Sequence, residues 1–180
     1  GIDARLETLS RNVRNGHYRP GPLRSVEIPK SGGRVRELRI PSLADRVVQS
    51  AVQRRLSAEL DRRMSAESFG YRPSRSVTHA LDRARRLARD HLWVLDADIR
   101  SFFDEVAHDR LLDDLSIWLD DPRLIDLMAL WLDSFGQDRG LAQGAPISPL
   151  LANIFLHPLD ADFCRRGIPH VRYADDFIAF

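Results

Sequence analysis

Two adjacent carboxylates, Asp175 and Asp176, lie between two short runs of β-branched and aromatic residues. The runs 171–174 and 177–180 have the composition of antiparallel strands, and an acidic pair between such runs is typical of a tight turn. The sequence therefore predicts a hairpin with carboxylates at its tip. Because neighbouring carboxylates repel each other, the arrangement favours a cation between them, and hard divalent ions such as Mg²⁺ prefer oxygen ligands.

A third carboxylate is predicted at the end of a separate strand. Residues 92–95 form an apolar run that leads into Asp96 and Asp98. On a strand these two acids share one face, while Ala97 and Ile99 pack on the other. Asp98 is therefore the first candidate metal ligand. A solvated turn is the alternative for an isolated Asp-Asp pair, but a strand that ends in acids and a Gly-rich loop both precede this pair.

Five segments of the chain carry a resemblance to a known family. They are IPSLADRVVQ at 40–49, SFGYRPSR at 68–75, DIRSFFD at 98–104, QGAPISPLLAN at 143–153 and YADD at 173–176. With them the chain resembles the reverse transcriptases of the group II intron type, including their relatives in CRISPR systems and other bacterial defence loci. The resemblance extends from about residue 17 to residue 180.

The resemblance implies an α+β fold with the right-hand arrangement of a polymerase. Residues 1–90 would form the fingers, with a basic hairpin and helices, and residues 91–180 the palm, an antiparallel sheet packed on helices. The chain begins without Met and stops four residues after the acidic turn. We therefore expect a piece of a longer protein, truncated before the thumb.

The implied activity is RNA-directed DNA synthesis. Deoxynucleoside triphosphates would be joined to the 3′-hydroxyl of a DNA primer paired with an RNA template. Asp98, Asp175 and Asp176 would be the catalytic residues, and the metal-binding set would be these three with Ile99. Two Mg²⁺ ions, with Mn²⁺ as an alternative, would lie roughly 3.5–4 Å apart.

Two arginines are predicted to contact the nucleotide's phosphates. Residues 26–29 and 34–40 flank a Gly-Gly turn, which is a hairpin signature. Arg34 and Arg36 are two residues apart and share a face of the second strand, where they could clamp a triphosphate. A charged edge strand that prevents aggregation is the alternative.

The resemblance also assigns Phe103, Gln143 and Gly144 to the nucleotide pocket. Phe103 follows Asp98 by five positions, where the family places a bulky residue that would clash with a 2′-hydroxyl; plain core packing is the alternative. Gln143 can donate and accept hydrogen bonds at once, and the small Gly144 lets the backbone approach a base pair.

Helices are predicted by periodicity and caps at 45–64, 77–89, 108–119, 122–134 and 148–164, with Trp118 and Trp131 in the core.

The net charge is +1, but Arg dominates the first ninety residues and acids follow Asp96. The single Cys164 excludes an internal disulfide and favours a reducing compartment. Without an apolar run near the roughly 20 residues of a membrane span, a cytoplasmic location and no membrane partner are expected.

Two other functions remain open from the residues alone. A nucleotide cyclase, or another palm-fold phosphoryl transferase, could use the same carboxylates, but it leaves the Gln143 loop and the basic hairpin without a role. A non-catalytic nucleic-acid-binding module is the other alternative. The sequence also leaves the subgroup open, so intron RNA and CRISPR adaptation proteins both stand as further candidate partners.

Overall fold

The computed structural model describes residues 1–29, 35–136 and 138–180. Helices and antiparallel strands are mixed along this part of the chain, as predicted for an α+β fold. In chain order they are α1 (Ile2–Arg14), β1 (Arg24–Pro29), β2 (Val35–Ile40), α2 (Leu43–Leu60), α3 (Val77–Leu87), β3 (Leu95–Asp98), α4 (Phe102–Glu105), α5 (His108–Trp118), α6 (Pro122–Phe135), α7 (Ser148–Arg165), β4 (His170–Tyr173) and β5 (Asp176–Ala179).

The described strands form two antiparallel sheets. β1 and β2 pair as a two-stranded hairpin, with Arg24 opposite Ile40 and Pro29 opposite Val35. The second sheet has the order β3-β5-β4, so β5 lies in its centre. The predicted hairpin at the acidic turn is β4–β5, and the predicted acidic strand is β3.

Helices α2, α3 and α6 begin at a capping side chain. The Ser42 hydroxyl accepts a hydrogen bond from the backbone N–H of Asp45 at the start of α2. Asp121 accepts one from the N–H of Arg123 at the start of α6, and Pro122 occupies the first turn, where its missing N–H costs nothing. The predicted helix starts are therefore close to the observed ones.

The main hydrophobic core lies among α2, α5, α6 and α7. Trp131 is fully buried there and Trp118 nearly so, which confirms the prediction for both. The Tyr18 hydroxyl donates to the buried carboxylate of Asp45 (2.6 Å) and accepts from the Trp131 indole N–H (3.0 Å). This pair of bonds ties the loop after α1 to the core.

The apolar run before β3 differs from the prediction. Leu92 and Trp93 are 97% and 86% exposed, and the strand begins only at Leu95. Residues 92–94 lie before the segment that pairs with β5, so the sheet does not cover Leu92 and Trp93. Within the described residues, no helix is long and apolar enough to cross a membrane.

Candidate active site

A cavity of about 690 Å³ opens between the β1–β2 hairpin and the three-stranded sheet. Its wall is formed by β2, the end of β3, the start of α4, the loop before α7 and the β4–β5 turn. The predicted site residues in the described part of the chain all line it: Arg36, Asp98, Ile99, Phe103, Gln143, Gly144, Asp175 and Asp176. Arg34 lies outside the described residues.

The sheet register brings the predicted acids together. Asp98 ends β3 and lies directly opposite Asp176, the first residue of β5. Asp175 is in the turn itself, and its carbonyl accepts a hydrogen bond from the N–H of Ile99 (3.4 Å). Like charges directly opposite each other on paired strands are destabilising. Three carboxylates therefore lie on one wall of the cavity at a cost in repulsion.

The electrostatics of these acids are consistent with a cation site. Burial, and then the negative charges of Asp175, Asp98 and Asp96, raise the pKa of Asp176 above its ordinary value. The donors are all oxygens, which suits a hard divalent ion. Across residues 1–29, 35–136 and 138–180, no three His, Cys, Asp or Glu side chains are close enough to form a metal-ligand group. The three acids line one cavity without forming a compact cluster.

Ile99 borders the cavity but, unlike the three acids, has no side-chain oxygen to offer a metal ion. Its only oxygen is the backbone carbonyl, which accepts a hydrogen bond from the N–H of Phe102 (3.2 Å), while its side chain packs against the core. It borders the cavity because it directly follows Asp98.

The acidic turn has an uncommon backbone and a close neighbour. Ala174 has φ of +59°, in the left-handed region that costs a non-glycine residue about 1–2 kcal/mol. A Cβ on Gly70 would lie 2.4 Å from the backbone nitrogen of Ala174. Glycine is therefore required at position 70 by close approach to this turn.

Two phenylalanines follow Asp98 and differ in exposure. Phe102 is 4% exposed and Phe103 is half-buried; both border the cavity and both pack in or against the core. Their rings meet edge to face at 5.6 Å. Of the two rings, Phe103 is the more exposed and so has more surface available to a ligand.

The backbone of the loop before α7 is hydrogen-bonded directly to strand β2. The carbonyl of Gln143 accepts a hydrogen bond from the N–H of Arg39 (2.9 Å). Gly144 has φ of +120°, and a Cβ there would lie 3.4 Å from the carbonyl oxygen of Arg39. The backbone of this loop therefore lies directly against β2, and a larger residue at position 144 would be strained by its φ.

The segment 68–75 borders the cavity through Tyr71. Tyr71 is half-exposed on the wall; burial, and then the charge of Asp175, raise the pKa of its hydroxyl. Arg72, however, is 7% exposed, and its guanidinium donates to Asp61 and to the carbonyl of Ser68. An arginine held in this way does not face a phosphate.

Sequence reasoning missed a buried arginine beneath the acidic turn. Arg172, in β4, is 1% exposed and bonded to Asp160 and Asn153 of α7. Two features of the sequence could have indicated it. Arg172 interrupts an apolar strand, and Asn153 and Asp160 are seven residues apart, which places them on one face of a helix.

Comparison with known proteins gives the same family for most of the chain. Residues 28–180 match the family described as "Reverse transcriptase (RNA-dependent DNA polymerase)". The "Protein YkfC" of Escherichia coli (strain K12) is 36% identical over 168 residues, covering 86% of this chain and 44% of that protein. The "Group II intron-encoded protein LtrA" of Lactococcus lactis subsp. cremoris is 30% identical over 167 residues, covering 88% of this chain and 28% of that protein.

A third relative is the "Putative COX1/OXI3 intron 1 protein" of Saccharomyces cerevisiae, 31% identical over 164 residues, which cover 86% of this chain and 20% of that protein. The chain spans less than half the length of each of these three relatives. The family match covers β2, both acidic segments and the loop before α7, all of which border the cavity. The chain belongs to the reverse transcriptase (RNA-dependent DNA polymerase) family.

Proposed function

We propose that this chain carries the catalytic centre of an RNA-directed DNA polymerase that extends a DNA primer on an RNA template. The observation that carries the proposal is the register of β3 and β5. It sets Asp98 opposite Asp176 and beside Asp175 on the wall of one cavity. Residues 1–90 are the fingers and residues 91–180 the palm in this interpretation, and the cavity between them is the nucleotide site.

Asp98, Asp175 and Asp176 would hold two divalent ions, Mg²⁺ or alternatively Mn²⁺. Ile99 belongs to the same metal-binding set, to which it can offer only its backbone carbonyl. When bound, such ions activate the primer 3′-hydroxyl and neutralise charge on the phosphates. The backbone pairing of Asp98 with Asp176 fixes where their two carboxylates lie at the end of the sheet. Phosphoryl transfer depends mainly on such positioning and charge neutralisation.

The other cavity residues would bind and select the nucleotide. The Arg36 guanidinium is a suitable partner for a triphosphate, since its planar fork matches phosphate oxygens; Arg34 is proposed for the same task. The half-buried ring of Phe103 would exclude a 2′-hydroxyl. Gln143 and Gly144 would lie against the nascent base pair, on a loop whose backbone is already fixed by its bond to Arg39.

The proposed substrates are an RNA template, a DNA primer and deoxynucleoside triphosphates. These are available in the cytoplasm, where a chain with one free Cys164 keeps its thiol reduced. Intron RNA is a further candidate partner, because two of the three relatives named above are described as intron proteins.

The test is primer extension by a protein that contains residues 1–180 with any natural sequence that adjoins them. Wild type should extend a DNA primer on an RNA template in Mg²⁺. Asp98→Asn and Asp175→Asn should lower the rate by about a thousandfold or more, since each removes a charge needed to neutralise the transferring phosphates. Binding of the primer–template, measured by filter retention, should change little.

Asp96→Asn is the matched control. It removes the same charge from the same strand, two residues earlier, and Asp96 does not border the cavity. Its extension rate should stay near that of wild type. Extension within tenfold of wild type in Asp98→Asn or Asp175→Asn contradicts the assignment, and wild-type binding without extension supports a non-catalytic module. Release of a cyclic nucleotide without extension supports a cyclase.

A further inference from the structure

A buried arginine lies directly beneath the acidic turn. The side chain of Arg172 is 1% exposed, and so is that of Asp160. Nε and one terminal nitrogen of Arg172 donate to the two oxygens of the Asp160 carboxylate at 2.8 and 2.6 Å. The other terminal nitrogen donates to the Asn153 side-chain carbonyl (3.1 Å) and to the backbone carbonyl of Ala174 (2.8 Å).

The same residues hold the segment before Tyr71. The Asn153 amide nitrogen donates to the carbonyl of Gly70 (2.8 Å). The backbone N–H of Arg172 donates to the carbonyl of Glu67, and its carbonyl accepts from Phe69, both at 2.8 Å. Helix α7, strand β4 and the segment 67–70 therefore meet at Arg172.

Stability alone is a weak reason for such an ion pair. Taking both charges out of water costs several kcal/mol per ion, and well-packed apolar residues often replace a buried pair without loss. Burial by itself would raise the pKa of Asp160, but its hydrogen bonds from Arg172 hold that pKa below the usual value, so the carboxylate is charged. A charged pair is therefore maintained where the guanidinium also bonds the Asn153 side chain and the carbonyl of Ala174, and where His170 lies 3.7 Å from Asp160.

Ala174 is the residue whose backbone needs such a contact. Its φ of +59° is unfavourable for alanine, and its carbonyl is fixed by the planar guanidinium from below. A guanidinium can reach Asp160 and Ala174 at once because its five donors point in fixed directions, whereas an ammonium is a single point of charge. The geometry links the helix carboxylate to the turn backbone through one rigid group.

We propose that Arg172 is a positioning residue for the cation site. It fixes the backbone of the turn 173–176, and so holds the carboxylates of Asp175 and Asp176 toward Asp98. This role depends on the proposed function, in which the three acids hold divalent ions. Asn153 supports it by joining Arg172 to Gly70.

The test compares Arg172→Lys with wild type by three measurements. Mn²⁺ binding is followed by the loss of the free-ion signal in electron paramagnetic resonance, thermal stability by the unfolding midpoint, and activity by the Mg²⁺ dependence of primer extension. Lysine keeps the positive charge beside Asp160 but cannot hold the turn carbonyl at the same time. We expect Mn²⁺ affinity to fall at least tenfold and the Mg²⁺ concentration for half-maximal extension to rise similarly.

Leu115→Ala is the control for general destabilisation. Leu115 is fully buried on α5 in the main hydrophobic core, and its truncation leaves a cavity that destabilises the fold. It should lower the unfolding midpoint while leaving Mn²⁺ affinity within twofold of wild type. If Arg172→Lys does not fold, Asn153→Ala takes its place, since it removes the link to Gly70 without leaving a buried charge unpaired, and a smaller loss of Mn²⁺ affinity is expected.

Wild-type Mn²⁺ affinity in a folded Arg172→Lys protein, or in Asn153→Ala where Arg172→Lys does not fold, overturns the positioning role. An equal loss in Leu115→Ala overturns it too, because general loosening would then be sufficient. Failure of the proposed function has a different signature: wild type would extend no primer, while the shift in Mn²⁺ affinity between wild type and Arg172→Lys would still be present.

Discussion

Gly70→Ala tests whether close packing against the acidic turn sets its position. A Cβ at residue 70 would lie 2.4 Å from the Ala174 nitrogen and 3.1 Å from both the Ala174 Cα and the Tyr173 carbonyl carbon. Ordinary contacts between such atoms are about 3.5–4.0 Å, so the two backbones must separate by about 1 Å. The neighbours in question are all backbone atoms, which cannot rotate away as a side chain can.

The expected effects on stability and on activity are of similar size. Inserting a methyl group into a tightly packed place costs typically about 1–3 kcal/mol. A displacement of about 1 Å in a catalytic group can cost about 10²-fold in rate, which corresponds to about 2.7 kcal/mol in the barrier. Because the turn carries Asp175, we expect extension by Gly70→Ala to be about a hundredfold slower than wild type at temperatures where both are folded.

The measurement is single-turnover addition of one nucleotide at saturating Mg²⁺ and nucleotide, with the unfolding midpoint of the same preparation. Gly21→Ala is the matched control, because a Cβ there would meet its nearest atom, Asp45 Oδ2, at an ordinary 3.5 Å. Gly21→Ala should keep the wild-type rate. A folded Gly70→Ala protein with a rate within threefold of wild type refutes the reasoning.

Three further outcomes are expected. Phe103→Ala should raise incorporation of ribonucleotides relative to deoxynucleotides in a steady-state assay. Because Phe103 is half-buried, its loss should cost less stability than the roughly 3–5 kcal/mol of a fully buried Phe. Unchanged discrimination would assign Phe103 to packing. Tyr18→Phe leaves the Asp45 carboxylate without its buried donor and should lower the free energy of unfolding in urea by about 1–3 kcal/mol; a loss near zero contradicts this. Burial alone would lower the pKa of His170, but the neighbouring Asp160 raises it above its ordinary value. Protonated His170 therefore stabilises the fold fully below the unfolded pKa of about 6.5, and this stabilisation is lost as pH rises through the raised folded pKa. The difference in unfolding midpoint between wild type and His170→Gln should therefore shrink from pH 6 to pH 8, and a constant difference would show that only packing against Phe163 is involved.

Features with a local cause could be predicted from the sequence. The β4–β5 hairpin follows from an acidic pair between two β-rich runs, and α6 begins where Asp121 and Pro122 supply a cap and a first turn. The cavity could be predicted only through the family resemblance. Distances between Asp98 and the acidic turn are set by pairing between strands that are far apart in the chain.

Features set by tertiary packing could not be predicted in this way. The exposed Trp93 belongs to a run that has strand composition but precedes the paired segment. Arg72 belongs to a loop whose composition favours phosphate contact, yet the carboxylate of Asp61 holds it inside. In both cases the sequence shows the residue type. It does not show which helix or strand will cover the side chain.

The pairing of β3 with β5 also has a consequence for how the molecule assembles. Asp98 and Asp176 are register partners about eighty residues apart, whereas β1 and β2 are joined within a short hairpin. Contacts of large sequence separation form late, because the entropy of closing the intervening loop must be offset first. At roughly 5–20 residues per second, synthesis of the stretch between the two acids takes roughly 4–16 seconds. A nascent chain can therefore hold its hairpin and its first helices well before the two acids face each other, and until then the edge of β3 has no partner.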